Sequence, residues 1–311
     1  MTFPLIVCLI ALGLDRLAGE PEHWHPLVGL GWCADSVEQW LNPAGRGGVA
    51  IGALAVAMIT TPLLALAIIA SFLTLIPWLV ISVVVLWLAI GLRSLAEHGM
   101  AVYRPLAARE WERARECAGM MVSRDTRALD ENGVATAATE SLLENGADSV
   151  FASLFWFLVG GLPGLVLHRA VNTLDAMWGY RCERFRRFGW AAARLDDVLN
   201  WIPARLTAIA YALAGDTRTA WRCWLKQGVH WDSPNAGPVM AAGAGALGVR
   251  LGGDAPYHEG WRSRPELGAG AEAGPGAIPA ALALIHRALV LWFFAAAVIV
   301  GLFWLLDSGV L

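Results

Sequence analysis

The side chains that could do chemistry are mostly carboxylates, amides and arginines, and they gather between residues 124 and 235. In TAATESLLENGAD, Glu140, Glu144 and Asp148 recur every four residues, which puts them on one face of a helix. Like charges at that spacing repel by a few tenths of a kcal/mol per pair. A solvated acidic face is the plain reading. The functional one is a divalent-cation site, because hard oxygen ligands suit Mg²⁺. Arg124-Asp125-Thr126 reads either as a helix cap beside a solvated arginine or as a clamp whose guanidinium fork holds a phosphate or carboxylate. In VNTLDAMWGY, Asn172 and Asp175 share a helix face, with Thr173 between them. In RLDDVLNWIPAR, Asp196 and Asn200 share a face, Asp197 points elsewhere, and Arg194 and Arg205 are close by. Polar clusters beside apolar segments are functional or mutually ion-paired. Ser233-Pro234-Asn235 is a turn signal, and the small residues after it permit close helix packing or close approach to a ligand. His23 and His25 are two apart and share no helix face, so the pair alone makes no metal site. The chain has no P-loop, Rossmann fingerprint, G-x-S-x-G elbow or H-E-x-x-H motif.

The elements that must position these groups belong to a membrane protein. Of 311 residues, 57% are apolar and only 16% charged, against about 25% charged in soluble domains. Sixteen tryptophans suit membrane interfaces. A net charge of −3 gives no sign of nucleic-acid binding. The five cysteines form no C-x-x-C pair and read as free thiols.

A span needs about 20 apolar residues. Residues 47–92 carry no charge and hold two spans, about 49–70 and 72–92, meeting near Thr61-Pro62 or Ser71. Residues 288–306 form another, bounded by Arg287 and Asp307. Residues 1–18 read as a first span or interfacial helix. Residues 149–168 are nearly uncharged but broken by Gly160-Gly161-Leu162-Pro163-Gly164, a poor sequence for a straight helix. A single crossing there would put the polar loops 93–148 and 169–287 on opposite sides. A re-entrant or buried helical hairpin would keep both on one face, and that is the expectation. The loops read as helical, with 268–278 a flexible linker. The expected fold is all-α and polytopic, with about four to six membrane segments in one membrane-embedded domain over 1–311.

Taken together, these blocks resemble the CobD/CbiB family of cobalamin biosynthesis, the adenosylcobinamide-phosphate synthases. The resemblance rests on motifs in the family's order: Asp15 with Gly19, Pro21, His25 and Pro26; Arg124-Asp125-Thr126; Glu140 with Glu144-Asn145 and Asp148; Asn172-Thr173-Leu174-Asp175 with Gly179-Tyr180; Phe188-Gly189; Ala193 to Asp197; Pro203-Ala204-Arg205; Ser233 to Gly237; and Gly245 to Gly248 with Leu251-Gly252-Gly253. It covers about residues 15–268. Glu20 stands where the family usually has Asp, Ser149 where Gly is usual, Ser153 where Pro is common, and Arg181-Cys182 where Lys-Asn is usual.

The resemblance implies a multi-pass inner-membrane enzyme with its site loops facing the cytoplasm. Its reaction would be ATP-dependent amide formation between adenosylcobyric acid and (R)-1-aminopropan-2-ol O-phosphate or a related amino-alcohol phosphate. On that reading Glu140, Glu144 and Asp148 hold Mg²⁺ on ATP. Glu144, Asp175, Asp196 and Asp197 are the catalytic carboxylates, with Asp175 or Asp197 taking the proton from the ammonium. Arg124, Arg194 and Arg205 bind phosphate, and Asp125, Thr126, Asn172, Thr173, Ser233, Asn235 and His25 complete the substrate site. Expected partners are the two substrates, membrane lipid and other membrane enzymes of the pathway. A transporter would explain a broken helix and buried polar groups, but the spans are few and no half-repeat pairs them. A sensor like the AmpE proteins would not need NTLD, RLDD and SPNAG together.

Overall fold

The uncharged runs of the sequence are helices in the computed structural model, which describes residues 2–21, 25–257 and 260–307. Met1 and His23, both part of the sequence reading, lie outside the described residues. The helices are α1 (Thr2–Ala18), α2 (Pro26–Leu41), α3 (Val49–Ser71), α4 (Leu75–Ile90), α5 (Leu92–Ala107), α6 (Trp111–Gly119), α7 (Glu131–Asn145), α8 (Ala152–Trp178), α9 (Trp190–Ala214), α10 (Thr217–Gln227), α11 (Ala236–Leu247) and α12 (Ala277–Asp307). A π-helical turn, Gly146–Phe151, joins α7 to α8.

Among the described residues the protein is all-α but for five short strands: β1 (Val249–Gly252), β2 (Ala255–Tyr257), β3 (Gly260–Arg262), β4 (Glu266–Gly268) and β5 (Ala271–Glu272). β1 pairs antiparallel with β4 and parallel with β5, and β2 pairs antiparallel with β3. The sequence reading had helix and linker here. Gly252, Gly253, Gly260, Gly268 and Gly270 all take positive φ, which breaks a helix and turns the chain between two- to four-residue strands.

Among the described residues, four helical stretches are long and apolar enough to cross a membrane: Val49–Ser71, Leu75–Ala107, Glu131–Trp178 and Ala277–Leu302. This is the pattern of a multi-pass membrane protein. α3 runs through Pro62 and ends at Ser71, so the hairpin turn falls at the later of the two expected points. Thr60 inside it is satisfied by the Val56 carbonyl at 2.8 Å, as hydrocarbon surroundings demand. Leu66, Ile69, Phe72, Ile76 and Phe294 leave large apolar side chains on the outer surface, as lipid-facing helices do. The last helix starts at Ala277, before the uncharged run, with His286 bonded to the Leu282 carbonyl at 2.7 Å.

The stretch Glu131–Trp178 is not one rod. Gly161 has φ 61° and ψ −152°, outside the helical region. A Cβ on Gly164 would lie 2.7 Å from the Trp156 carbonyl oxygen, whereas residues eight apart in a straight helix are separated by about 12 Å. The chain therefore doubles back at the glycine-proline break, as a helical hairpin. The apolar run 149–168 is shared between its two arms.

Contacts divide the chain, read from sequence as one domain, into two compact units. One is Met1–Leu92 with Asp148–Asn200; the other is Arg93–Ala147 with Trp201–Leu311. In the first unit, α3 packs on α8, and Ala55, Val56, Ile59, Leu174, Trp178 and Phe188 form the core. Gly52 is required there, because a Cβ would fall 1.8 Å from the Phe188 carbonyl oxygen. In the second unit, α11 is buried along its length against α10. Its small residues allow this: a Cβ on Gly245 would lie 2.7 Å from the Ala220 Cα.

Candidate active site

In the first unit, two motif-bearing helices meet at one carboxylate. Asn172 of α8 and Asn200 of α9 both donate to Asp196 Oδ1, at 3.2 and 2.9 Å. Behind them, Arg169 Nη1 donates to Asn172 Oδ1 at 3.2 Å, and His168 Nε2 lies 2.9 Å from Asn200 Oδ1. The helical period explains the assembly, since 168 and 172, and 196 and 200, are each one turn apart. Arg169 is buried within electrostatic reach of Asp148, Glu20 and Asp196, the compensation a buried cation requires.

Burial raises the Asp196 pKa above the usual carboxylate range, and Asp197 pushes the same way. The amide donors of Asn172 and Asn200 and the charge of Arg169 oppose the rise without cancelling it. Asp197 is also raised by burial, against the pull of Arg194 at 3.1 Å. Two expected site residues here bond within their own helix. Thr173 Oγ1 donates to the Arg169 carbonyl at 2.8 Å. Asp175, half-buried, accepts the Gly179 N–H at 2.6 Å through its main-chain oxygen at the end of α8. His25 caps α2, its Nδ1 accepting from the Leu27 N–H at 3.3 Å, so the structure gives it a helix-starting role.

In the second unit, the polar centre is Glu140. Arg124 ion-pairs with its Oε2, Arg264 reaches Oε2 and Oε1 at 3.0 and 3.3 Å, and the Gly252 N–H donates to Oε1 at 2.6 Å. The three side chains are only 3, 10 and 8% exposed for Glu140, Arg124 and Arg264, so the network is buried. Burial works against the charge of Arg124, but Glu140 and Tyr257 outweigh it and hold the guanidinium above its usual range. Gly252 must be glycine, with φ 79° and a would-be Cβ 2.1 Å from the Pro265 carbonyl oxygen. Arg264 Nε also donates to the Gly253 carbonyl at 3.0 Å, so Leu251-Gly252-Gly253 is a receptacle for this network. Arg264 in turn lies 5.1 Å from the Trp231 ring. A small pocket of about 150 Å³ opens beside it, with the Arg262–Asp232 ion pair on its wall.

The remaining expected site residues of this unit hold its loops. Asp125 caps a short 3₁₀ turn, accepting the Arg127 N–H at 3.2 Å, and Thr126 is buried beside it. Arg205 donates to Asn235 Oδ1 at 2.6 Å and to the Pro234 carbonyl at 2.9 Å, and lies 4.7 Å from the Trp201 ring. Ser233 Oγ accepts the N–H groups of Asn235 and Ala236 at 3.3 and 3.2 Å. The motifs PAR and SPNAG thus form one clamp. The guanidinium groups of Arg124 and Arg205, expected to bind phosphate, are each engaged by protein oxygens in the structure. Arg194 remains on the surface, 63% exposed.

The expected Mg²⁺ trio is divided between the two units, with Glu140 and Glu144 in the second and Asp148 in the first. Glu140 has both oxygens taken by two guanidinium groups and an amide. Beyond Asn145 the backbone enters the π-helical turn, whose wider winding ends the four-residue alignment, and Asp148 faces Arg169 instead. Glu144 is half-buried on the last turn of α7. Among the described residues, no three His, Cys, Asp or Glu side chains converge as a metal-binding group. Sequence reasoning missed His168, Arg169 and Arg264. The first two had a signal, since they lie one turn before Asn172 and Thr173. Arg264 had none, being 124 residues from Glu140.

A family model described as "CobD/Cbib protein" matches residues 8–285. A Chromobacterium violaceum protein named "Cobalamin biosynthesis protein CobD" is 52% identical over 301 residues, covering 94% of this chain and 96% of its own length. The protein of that name from Stutzerimonas stutzeri is 56% identical over 283 residues, covering 91% and 93%. That of Rhodobacter capsulatus is 40% identical over 290 residues, covering 90% and 92%. No solved structure matches.

Proposed function

We propose, for a chain that belongs to the CobD/CbiB family of cobalamin biosynthesis, that it is the ligase joining adenosylcobyric acid to (R)-1-aminopropan-2-ol O-phosphate or a related amino-alcohol phosphate. The product is adenosylcobinamide phosphate. A carboxylate does not react with an amine unaided, so ATP first phosphorylates it, giving an acyl phosphate and ADP. The amine nitrogen then attacks the acyl carbon, the bond from that carbon to the phosphate oxygen breaks, and inorganic phosphate leaves. Overall the ammonium loses a proton to solvent through a protein base. ATP enters as its Mg²⁺ complex, a co-substrate. The reaction belongs at the inner membrane with the polar segments facing the cytoplasm, where ATP is available.

The observation that carries this reading is Asp196. It is the carboxylate on which both motif helices converge, and its donors are neutral amides. Its raised pKa keeps it basic enough to accept the ammonium proton. Because a base acts in its ionised form, activity falls as pH drops through the raised Asp196 pKa.

The test is a mass-spectrometric assay of the detergent-purified protein with adenosylcobyric acid, the amino-alcohol phosphate, ATP and Mg²⁺. Wild type forms adenosylcobinamide phosphate. Asp196→Asn loses on the order of 10²- to 10⁴-fold in rate, the range of a lost proton acceptor. Folded wild type that forms no product with any amino-alcohol phosphate overturns the reading and favours a sensor or a transporter.

A further inference from the structure

We propose that His168 is a positioning residue for Asp196, acting through the side-chain amide of Asn200. The inference rests on the reading of Asp196 as proton acceptor, and it comes from how the three side chains must share their hydrogens. Asp196 Oδ1 is an acceptor, so the atom of Asn200 facing it at 2.9 Å is the NH₂ group. The Asn200 carbonyl oxygen then faces His168 Nε2 at 2.9 Å, so His168 must donate there. The other ring nitrogen, Nδ1, is buried with no hydrogen-bond partner. A proton on Nδ1 would be an unsatisfied buried donor, the costlier arrangement, so the ring is held as the Nε2–H tautomer. The chain of donors runs one way, from His168 to Asn200 to Asp196.

An asparagine amide is symmetric enough to flip. Without an obligate donor on its oxygen side, Asn200 could turn its carbonyl toward Asp196 and repel the carboxylate. His168, fully buried on α8, removes that option. The second donor to Asp196, Asn172, is fixed from the same helix, where Arg169 donates to its oxygen. Both asparagines are therefore oriented from behind, one by an imidazole and one by a guanidinium. The charged groups facing Asp196 are Arg169 from α8 and Asp197 on its own helix, with Glu20 and Asp148 acting on Arg169. None of these substitutes for the donor that His168 supplies to Asn200.

Two readouts test this on the full-length protein in detergent. The first is the pH profile of kcat/KM for wild type, His168→Gln and His168→Leu. Glutamine carries an amide N–H near the position of Nε2; leucine carries none. Loss of the oriented Asn200 donor disfavours the charged form of Asp196, so in His168→Leu the acid limb moves to higher pH. On the acid side kcat/KM falls on the order of tenfold, the scale of a hydrogen bond to a charged group. His168→Gln returns the limb toward wild type. A uniform loss of rate with an unmoved limb marks a merely structural residue and overturns the proposal, as does failure of glutamine to rescue.

The second readout needs no turnover. The carboxyl absorption of Asp196 is titrated by infrared difference spectroscopy against Asp196→Asn, in wild type and in both His168 variants. The titration moves upward in the leucine variant and returns in the glutamine variant; if it stays put in both, the proposal fails. If wild type makes no amide product, the ligase reading falls while this titration still decides the role of His168. Should the leucine variant not fold, His168→Asn, whose shorter amide falls short of Asn200, takes its place with the same expected direction.

Discussion

Asp196 in the first unit and Glu140 in the second are both held in polar networks that join separate elements, yet the donors differ in kind. Glu140 meets two guanidinium groups and a backbone amide. Asp196 meets two side-chain amides, with a cation, Arg169, a step behind. Charged donors stabilise a carboxylate as a permanent ion and make it a structural tie between α7, Arg124 and the glycine-rich strands. Neutral donors orient a carboxylate while leaving burial free to raise its pKa. The same side-chain chemistry thus gives a strut in one unit and, on the proposed reading, a base in the other.

Exchanging the charge at each site should separate the two roles. Asp196→Asn is expected to keep the thermal melting of wild type in detergent while losing the amide-forming activity described above. Glu140→Gln is expected to do the reverse. It leaves Arg124 and Arg264 buried without their anion, and breaking a buried ion pair from one side costs about 3–5 kcal/mol. A melting curve that falls sharply for Glu140→Gln, with residual folded protein still turning over, sharpens the contrast. Unchanged melting for Glu140→Gln, or unfolding of Asp196→Asn, would break it.

Smaller changes act on the neutral donors themselves. Asn172→Ala removes one of the two amides that favour the charged form of Asp196. The acid limb of kcat/KM therefore moves to higher pH, and activity below it drops by about tenfold. Asp197→Asn moves the limb the other way, because the Asp197 charge adds to the rise at Asp196. Opposite displacements from two substitutions on neighbouring positions are what a single titrating carboxylate requires. Displacements of the same sign would assign the limb to another group.

Much of this arrangement was legible before any coordinates. Uncharged runs announced α3, α4 and most of α12, and Gly160-Gly161-Leu162-Pro163-Gly164 announced the fold-back, because length, charge and backbone freedom are local properties. One-turn spacing put Asp196 beside Asn200. What spacing could not reveal was which faces meet. Glu140, Glu144 and Asp148 share a stripe only while the α-helical period lasts, and the π-helical turn at Gly146 ends it. Nothing local tied Arg264 to Glu140, since their pairing depends on glycine-turned strands that a helical reading of 249–272 left out. The resemblance implies Asp125, Thr173, Ser233 and His25 as site residues, and each makes hydrogen bonds of the local kind that its residue type forms at caps, turns or along a helix.

The smallest expected effect is also the one that decides how far the site of the first unit extends. Arg194 pairs with Asp197 at 3.1 Å on the surface, with side chains 63% and 27% exposed. Solvent screens such a pair, so Arg194→Gln should change stability by less than about 1 kcal/mol. Arg194 lowers the Asp197 pKa, so its removal raises that pKa and makes Asp197 charged over a narrower pH range. If Arg194 only tunes Asp197, KM for the amino-alcohol phosphate stays at the wild-type value and the acid limb shifts slightly. If Arg194 leaves Asp197 to clamp substrate phosphate, as the family resemblance implies, KM for that substrate rises by about tenfold or more, the scale of a lost charge-assisted contact. KM would then recover in Arg194→Lys only in part, since a point charge lacks the guanidinium fork. That second outcome would enlarge the site from a buried base to a base with an anion clamp at its rim. It would also make the first unit, with no help from the Glu140 strut, the place where the amine substrate is recognised.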